Sequence, residues 1–444
     1  MPLPRRGVGG RPADQDLPLP LPAHFASLTP CDRGSSVLNI VFFQFGDYGK
    51  AYRNLQSGGQ ENFRDQSYTV DFVASLAKEH RMSTVAICDR PHKEELAPNL
   101  HSIGLTLSRA YEPATVRQLL TELAPGVIVL RTPHRTVLEW ARKQRVPTLP
   151  LFADFMARPH GLRSWLWSRR LRRILGDDIF PAISNHSLNA SLSLVRNLHL
   201  PAHRIVPWDS VLQAIDPAIK SAPVASGRIK AFYAGTLSDQ KGVADCLEAV
   251  RLLKTRNIGL SFRFAGAGDT GAWLSRAQKL GIDTQVAFLG IIANEAVRDE
   301  MRSSDMVIVP SRHSYAEGLP NTLTEGLASG TPVICSDHPA FANRLRHGTD
   351  VLMFQGASAP ALADAVQRLA SDPELYARLS ANAAAACQGL FFGTEWADLI
   401  RLFVNDPQDR TGWVREHSLE ALLAAKAHNP GGHPGGHSGG HPEQ

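Results

Sequence analysis

The sequence predicts an α/β protein of two doubly wound domains that face each other across a cleft. Three observations lead there. The chain has 444 residues and is 43% hydrophobic, whereas a single core stops growing at about 250–300 residues, so two domains of ordinary size are expected. Short, nearly continuous apolar runs alternate with stretches of helical period, the pattern of a parallel sheet covered on both faces. That alternation breaks off and restarts around the segment 216–228, which is rich in Pro, Ala, Ser and Gly.

Along the chain, residues 1–35 carry repeated Pro and Gly without hydrophobic period and are expected to be a disordered arm. The first domain, 36–215, begins with the strand Val37-Leu-Asn-Ile-Val-Phe-Phe43, followed by a Gly-rich loop from Gly46 to Gln60 and a helix carrying Val70, Val73 and Ala77. Strands over 84–88, 126–130, 148–152, 179–184 and 204–207 follow, with helices over 115–123 and 137–145. After the 216–228 linker the second domain, 229–390, repeats the scheme with strands over 230–234, 261–265, 286–289, 306–309 and 332–335. Residues 391–427 are expected to be helical, and the Trp396, Leu399, Ile400, Phe403 spacing marks an amphipathic helix that crosses back to the first domain. The end, 428–444, repeats Gly-Gly-His and reads as a flexible tail.

Composition narrows the function. A net charge of +5 from 47 Lys and Arg against 42 Asp and Glu is mild; it suits anionic substrates or a membrane surface and does not call for nucleic acid. Cys31, Cys88, Cys246, Cys335 and Cys387 are far apart, with no CxxC pair, which argues against a disulfide framework or a zinc site and for a reducing, cytoplasmic setting. No run approaches the roughly 18 apolar residues of a membrane span.

The richest segment is Ser311-Arg-His-Ser-Tyr-Ala-Glu-Gly-Leu-Pro-Asn-Thr-Leu-Thr-Glu-Gly-Leu-Ala-Ser-Gly330, between two apolar strands. Pro320 suits the first position of a helix that runs to about Ser329 and stops at Gly330. The N–H groups of Asn321 and Thr322 and the positive helix end then form a phosphate site. Glu317 and Glu325 bracket it, and paired carboxylates accept hydrogen bonds from vicinal hydroxyls.

This segment resembles the paired-glutamate motif of retaining GT-B-fold glycosyltransferases of family 4, whose fold is two Rossmann-like domains. Further segments fall in that family's order: Ala234-Gly-Thr-Leu-Ser-Asp-Gln-Lys-Gly242, Phe264-Ala-Gly-Ala-Gly268, Phe288-Leu-Gly290 and Ser304-Asp-Met-Val-Ile-Val-Pro-Ser311. The resemblance implies a nucleotide diphosphate sugar donor, UDP- or GDP-linked, with no separate cofactor and no metal. It implies that Lys241 stabilises the departing diphosphate with Gly235 and Thr236 beside it, and that Glu325 holds the ribose. Glu317, with Gly318 and Leu319, meets the transferred sugar, while Ile291 and Ile292 meet the base. Gly58 and Gly59 match the family's glycine pair facing the diphosphate from the first domain.

The sequence also departs from the family. Thr236 stands where an Arg is frequent, which leaves phosphate charge to Lys241 or to an Arg elsewhere such as Arg312. Where the family's strand ends in a histidine near the donor sugar, Arg131 occupies the aligned place and His134 follows three residues later; the role falls to either or to neither, with His134 entered as the catalytic candidate. The match Gly266-Ala-Gly-Asp-Thr-Gly271 satisfies a dinucleotide fingerprint, but the next strand ends in Gly290 and not in an acid, so it is assigned to a tight turn. The helix over 160–175 interleaves Trp165 and Trp167 with arginines and reads as a contact for an anionic membrane surface. The resulting expectation is a hexosyltransferase-type enzyme acting on a glycan or lipid-linked acceptor in cell-surface polysaccharide or glycoconjugate synthesis, cytoplasmic or peripheral on the inner membrane face. The alternatives are an epimerase on the same fold and an inactive nucleotide-binding scaffold.

Overall fold

A computed structural model of the chain describes residues 37–210, 219–220 and 228–428. The arm expected over 1–35, nearly all of the 428–444 tail, and the 216–228 linker except 219, 220 and 228 lie outside the described residues. The strands are β1 (Asn39–Phe45), β2 (Arg81–Ile87), β3 (His92–Ala97), β4 (Leu100–Leu105), β5 (Val127–Leu130), β6 (Thr148–Phe152), β7 (Ile183–His186), β8 (Ile205–Asp209), β9 (Ile229–Ala234), β10 (Leu260–Ala265), β11 (Val286–Gly290), β12 (Met306–Val309), β13 (Val333–Ser336), β14 (Leu352–Phe354) and β15 (Thr394–Glu395).

They form two sheets, in the orders β15-β8-β7-β6-β5-β1-β2-β4-β3 and β11-β10-β9-β12-β13-β14. Each central strand is buried because its sequence is apolar on both faces. In β1, Ile40 and Phe42 enter one apolar layer while Val41 and Phe43 enter the other, all at 0% exposure. Pairing is parallel throughout except at one edge, where β3 runs antiparallel to β4. That hairpin corrects the all-parallel expectation: the His92–Ala97 strand, HKEELA, is an edge with polar residues that carry no core-strand signature.

Strand order reverses beside β1 in the first sheet and beside β9 in the second. Open α/β sheets bind ligands outside the carboxyl ends of strands at such switch points. Both ends meet in one place, because backbone bonds join the two halves: Phe155 N donates to Glu317 O at 3.2 Å and Asn294 N to Glu61 O at 2.8 Å.

After the second sheet the chain returns to the first. β15 pairs with β8, and the helix Trp396–Asn405 buries Trp396, Leu399, Ile400 and Phe403 in the layer that holds Phe42 and Phe72. The Trp396 ring stands edge-on to Phe72 at 5.3 Å. The first domain's core is therefore completed by a segment that follows the second domain. Phe403→Ala, at a fully buried position, should lower the unfolding free energy by about 3–5 kcal/mol, read from the denaturant midpoint; a loss under about 1 kcal/mol would show that the returning helix is not integral to that core.

Candidate active site

Between the sheets lies a cavity of about 760 Å³. Its floor is built from turns in which backbones approach closely. Gly235, after β9, and Gly266, after β10, hold φ of 147° and 139°, and a Cβ on Gly266 would overlap the Gly235 carbonyl, so only glycine fits. Lys241 ends the loop from β9, and the next residue, Gly242, packs against the Pro310 carbonyl with φ of 81°. This fixes where the lysine leaves the backbone.

The helix of the motif runs Asn321–Ala328 with Pro320 as its N-cap, one residue later than a start at Pro320. The N–H groups of its first turn have no intrahelical acceptor, and Asn321 and Thr322 line the cavity. Thr322 Oγ1 donates to Ala234 O at 2.6 Å, which anchors the helix start to the end of β9. Three residues after Thr322, Glu325 is 9% exposed and accepts a hydrogen bond from Asn294 Nδ2 at 2.8 Å. Burial raises its pKa, while the Asn294 bond and the Arg64 charge pull the other way.

Glu317 stands before the helix. Its Oε2 accepts from Lys241 Nζ at 2.6 Å and from Ser311 Oγ at 2.7 Å. The ammonium also lies 4.4 Å from the Tyr315 ring centroid. Gly318 follows because a Cβ there would overlap Ala153 O, past the end of β6. The motif loop is thus held by both sheets.

Gly235, Thr236, Lys241, Ile291, Ile292, Glu317, Gly318, Leu319, Asn321, Thr322 and Glu325 all line this cavity. Three expected residues do not. Gly58 and Gly59 end the helix Tyr48–Gln56, where Gly58 N donates to Leu55 O and Gly59 N to Asn54 O in the double-bonded C-terminal stop that favours glycine. The expected 46–60 loop is largely that helix. His134 is 2% exposed and caps the helix Arg135–Gln144, with Nδ1 accepting from Val137 N and Nε2 2.8 Å from Ala110 O. Its ring is wedged between Phe43 and Tyr111, so a catalytic role for it is corrected to a helix cap. Arg312 is also placed elsewhere, bound through two nitrogens to Asp245 at 2.7 and 2.6 Å.

The first sheet supplies other groups instead. Arg131 lines the cavity with its guanidinium over the Trp396 ring, and desolvation lowers its pKa to about 10, leaving it charged at neutral pH. Arg64 donates to Thr324 Oγ1 at 2.9 Å beside Glu325. His186, at the end of β7, stacks on Trp208 at 4.5 Å; burial, with Arg64 and Arg131 adding, lowers its pKa to about 4. Asp154 also faces the cavity, its pKa raised by burial and by the Glu317 carboxylate. The sequence signal for His186 was a histidine closing a strand before a helix; Arg64 had none.

Comparison with solved structures identifies the architecture. The chain superposes on sucrose-phosphate synthase from Thermosynechococcus elongatus with a TM-score of 0.58 at 16% identity, covering 87% of this chain and 99% of that one. Anabaena HepE, solved with UDP and glucose, gives 0.57 at 14% identity, covering 84% and 100%. The fold is GT-B. Residues 215–386 match the family described as glycosyl transferases group 1. Within the GT-B chain, similarity to curated proteins is local. The D-inositol 3-phosphate glycosyltransferase of Rhodococcus erythropolis is 33% identical over 176 residues, 38% of this chain and 39% of that one. The amylovoran biosynthesis glycosyltransferase AmsK of Erwinia amylovora is 28% identical over 137 residues, 30% and 34%. The chain thus matches about two fifths or less of the length of these relatives.

A proton-binding nitrogen as buried as His186 should stay neutral through the physiological range. Its ring proton shift in NMR, assigned with His186→Gln, should not move between pH 8 and 5.5; a midpoint near the ordinary 6.5 would contradict the closed packing around it.

Proposed function

We propose that the chain is a group 1 glycosyltransferase that moves a sugar from a nucleoside diphosphate donor, UDP- or GDP-linked, to a hydroxyl of a glycan or glycolipid acceptor with retention of configuration. The observation that carries this reading is the convergence of Lys241, Glu317, the open helix end at Asn321 and Thr322, and Glu325 on one cavity. These groups match, in order and kind, a diphosphate followed on one side by a ribose and on the other by a sugar. The local match of 215–386 to the group 1 family supports it, and so does the kinship with AmsK for a role in polysaccharide synthesis. Retention rests on the likeness of the Glu317 to Glu325 segment to the retaining family.

Glycosyl transfer develops positive charge at the anomeric carbon and negative charge on the departing diphosphate. Fixed donors aimed at that diphosphate therefore lower the barrier more than they tighten ground-state binding. Lys241 and the N–H groups of Asn321 and Thr322 fill this role from the second domain. Arg131 and Arg64 stand across the cavity and offset the neutral Thr236. The Glu325 carboxylate accepts from two ribose hydroxyls, with Asn294 holding it in place. Glu317 exchanges Lys241 for the sugar's hydroxyls when the donor enters. The base lies against Ile291 and Ile292.

The acceptor side belongs to the first domain. Its helix Gly161–Leu175 buries Leu171, Ile174 and Leu175 but leaves Leu162, Trp165 and Leu166 at 71, 47 and 51% exposure among arginines. That face fits an anionic membrane carrying a lipid-linked acceptor. No described helix is long and apolar enough to cross a membrane.

Two measurements test these readings. In a thermal-shift panel of UDP, GDP, ADP and their sugars, one nucleotide at about 100 times its dissociation constant should add roughly 2.7 kcal/mol, and Lys241→Ala should lower turnover with its sugar by at least about 10²-fold. Near-normal turnover would remove Lys241 from the chemistry; an epimerised free nucleotide sugar, or binding without turnover, would replace the transferase reading. Vesicles containing phosphatidylglycerol should float the chain, and replacing Trp165 and Leu166 by Ser with Arg169, Arg172 and Arg173 by Gln should abolish flotation. Equal flotation of variant and parent would reject the membrane contact.

A further inference from the structure

A second constellation lies in the first domain, outside the residues that line the cavity. Asp47 follows β1, Cys88 follows β2 and His92 opens β3. Because β2 lies between β1 and β4, and β4 pairs with β3, these three side chains come together at the carboxyl ends of the strands. One ligand atom from each lies within 4.8 Å of the other two. The widely spaced cysteines had argued against a zinc site. Only the four-residue step from Cys88 to His92 was legible, since Asp47 reaches them through the sheet.

The hydrogen bonds select the His92 tautomer that suits a metal ligand. Cys88 Sγ donates to Arg90 O at 3.1 Å, and His92 Nδ1 lies 3.2 Å from the same carbonyl. A carbonyl oxygen only accepts, so Nδ1 carries a ring proton, and the tautomer with its single proton there presents the Nε2 lone pair to the cluster. This is the arrangement in which metal-bound histidines are held, with the remote nitrogen donating to a carbonyl. Nε2 faces Asp47 Oδ1 at 3.8 Å and Glu94 Oε1 at 3.7 Å. Ser102 Oγ, at 2.9 Å, donates to it.

Glu94 adds an independent sign. Its Oε2 is paired with Arg53, but Oε1 is buried with no hydrogen-bond donor among the described residues. The Nε2 lone pair lies against two carboxylate oxygens, of which Asp47 Oδ1 also accepts from Lys50 N at 2.8 Å, and a cation among the three is attracted by each. The backbone makes room for this. A Cβ on Gly49 would stand 2.5 Å from Glu94 Oε1, and one on Gly104 would overlap the His92 ring.

We propose that Asp47, Cys88 and His92, with Glu94 as fourth ligand, form a zinc-class metal site. Thiolate, imidazole and carboxylate together suit Zn²⁺ better than hard cations such as Mg²⁺ or Ca²⁺. Tetrahedral bonds of about 2.0–2.3 Å put ligand atoms roughly 3.3–3.8 Å apart, so the side chains close by about 1 Å on binding. The Ser102 hydroxyl is displaced from Nε2, and the Cys88 thiol gives its proton to solvent as the metal–sulfur bond forms. The bound ion ties the turn from Cys88 to His92 to the start of the helix Tyr48–Gln56, stiffening the rim of the first domain.

The test uses Co²⁺ as the probe for Zn²⁺ on the full chain. One equivalent should produce a sulfur-to-cobalt charge-transfer band that Zn²⁺ displaces. The band should vanish in Cys88→Ser and its apparent affinity fall more than tenfold in His92→Ala. It should persist when the tail histidines His433, His437 and His441 are replaced by Ala, since those residues bring no thiolate. In the unaltered chain, Zn²⁺ should slow alkylation of Cys88 by iodoacetamide at least tenfold, followed by mass spectrometry, a readout that does not depend on any variant folding. Absence of the band, its survival in Cys88→Ser, or unchanged alkylation would overturn the site.

Discussion

The contact between Lys241 and Glu317 is the constraint on which the cleft depends. At 2.6 Å, with side-chain exposures of 15 and 8%, the pair is largely withdrawn from water. Removing one partner of such a pair leaves an uncompensated charge, at a cost of about 3–5 kcal/mol. Neither residue is free to settle elsewhere. Gly242 against Pro310 fixes the root of the lysine, and Gly318 against Ala153 fixes the root of the glutamate. Since Ala153 belongs to the first domain, the pair is positioned by both halves of the chain.

An ammonium held by a carboxylate is ready to be handed to a stronger anion. In the proposed reaction a diphosphate would bring more charge than Glu317 and would reach the open N–H groups of Asn321 and Thr322 as well. The released carboxylate would then find donors in the sugar hydroxyls. The charge that Thr236 does not supply would fall to two arginines of the first domain. Arg64, which is buried, and Arg131, whose lowered pKa of about 10 leaves it charged at neutral pH, face the cavity from the opposite sheet. Positive charge is therefore contributed from both sides of the domain boundary.

Much of this was legible in the sequence. Runs such as Val-Ile-Val-Leu in β5 and Met-Val-Ile-Val in β12 are apolar on both faces and have one stable place, the middle of a covered sheet. The motif helix was legible because Pro, the two glutamates and Gly330 punctuate it. What failed depended on contacts between distant segments. His134 follows a strand as a ligand-binding histidine would, but its ring nitrogens find a backbone amide and the Ala110 carbonyl first. Gly58 and Gly59 look like a phosphate loop until the helix before them is seen to need a stop. Arg64 has no local pattern at all, and of the Asp47, Cys88 and His92 group only the Cys88 to His92 step is local, since sheet order alone brings Asp47 near them.

The most direct test of the exchange at Lys241 is a crystal structure of the chain with the nucleoside diphosphate that stabilises it. The account predicts Lys241 Nζ within about 3 Å of a phosphate oxygen and parted from Glu317, the phosphate over the N–H groups of Asn321 and Thr322, and both ribose hydroxyls on Glu325. A nucleotide bound with the Lys241 to Glu317 pair intact, or with its ribose away from Glu325, would contradict it.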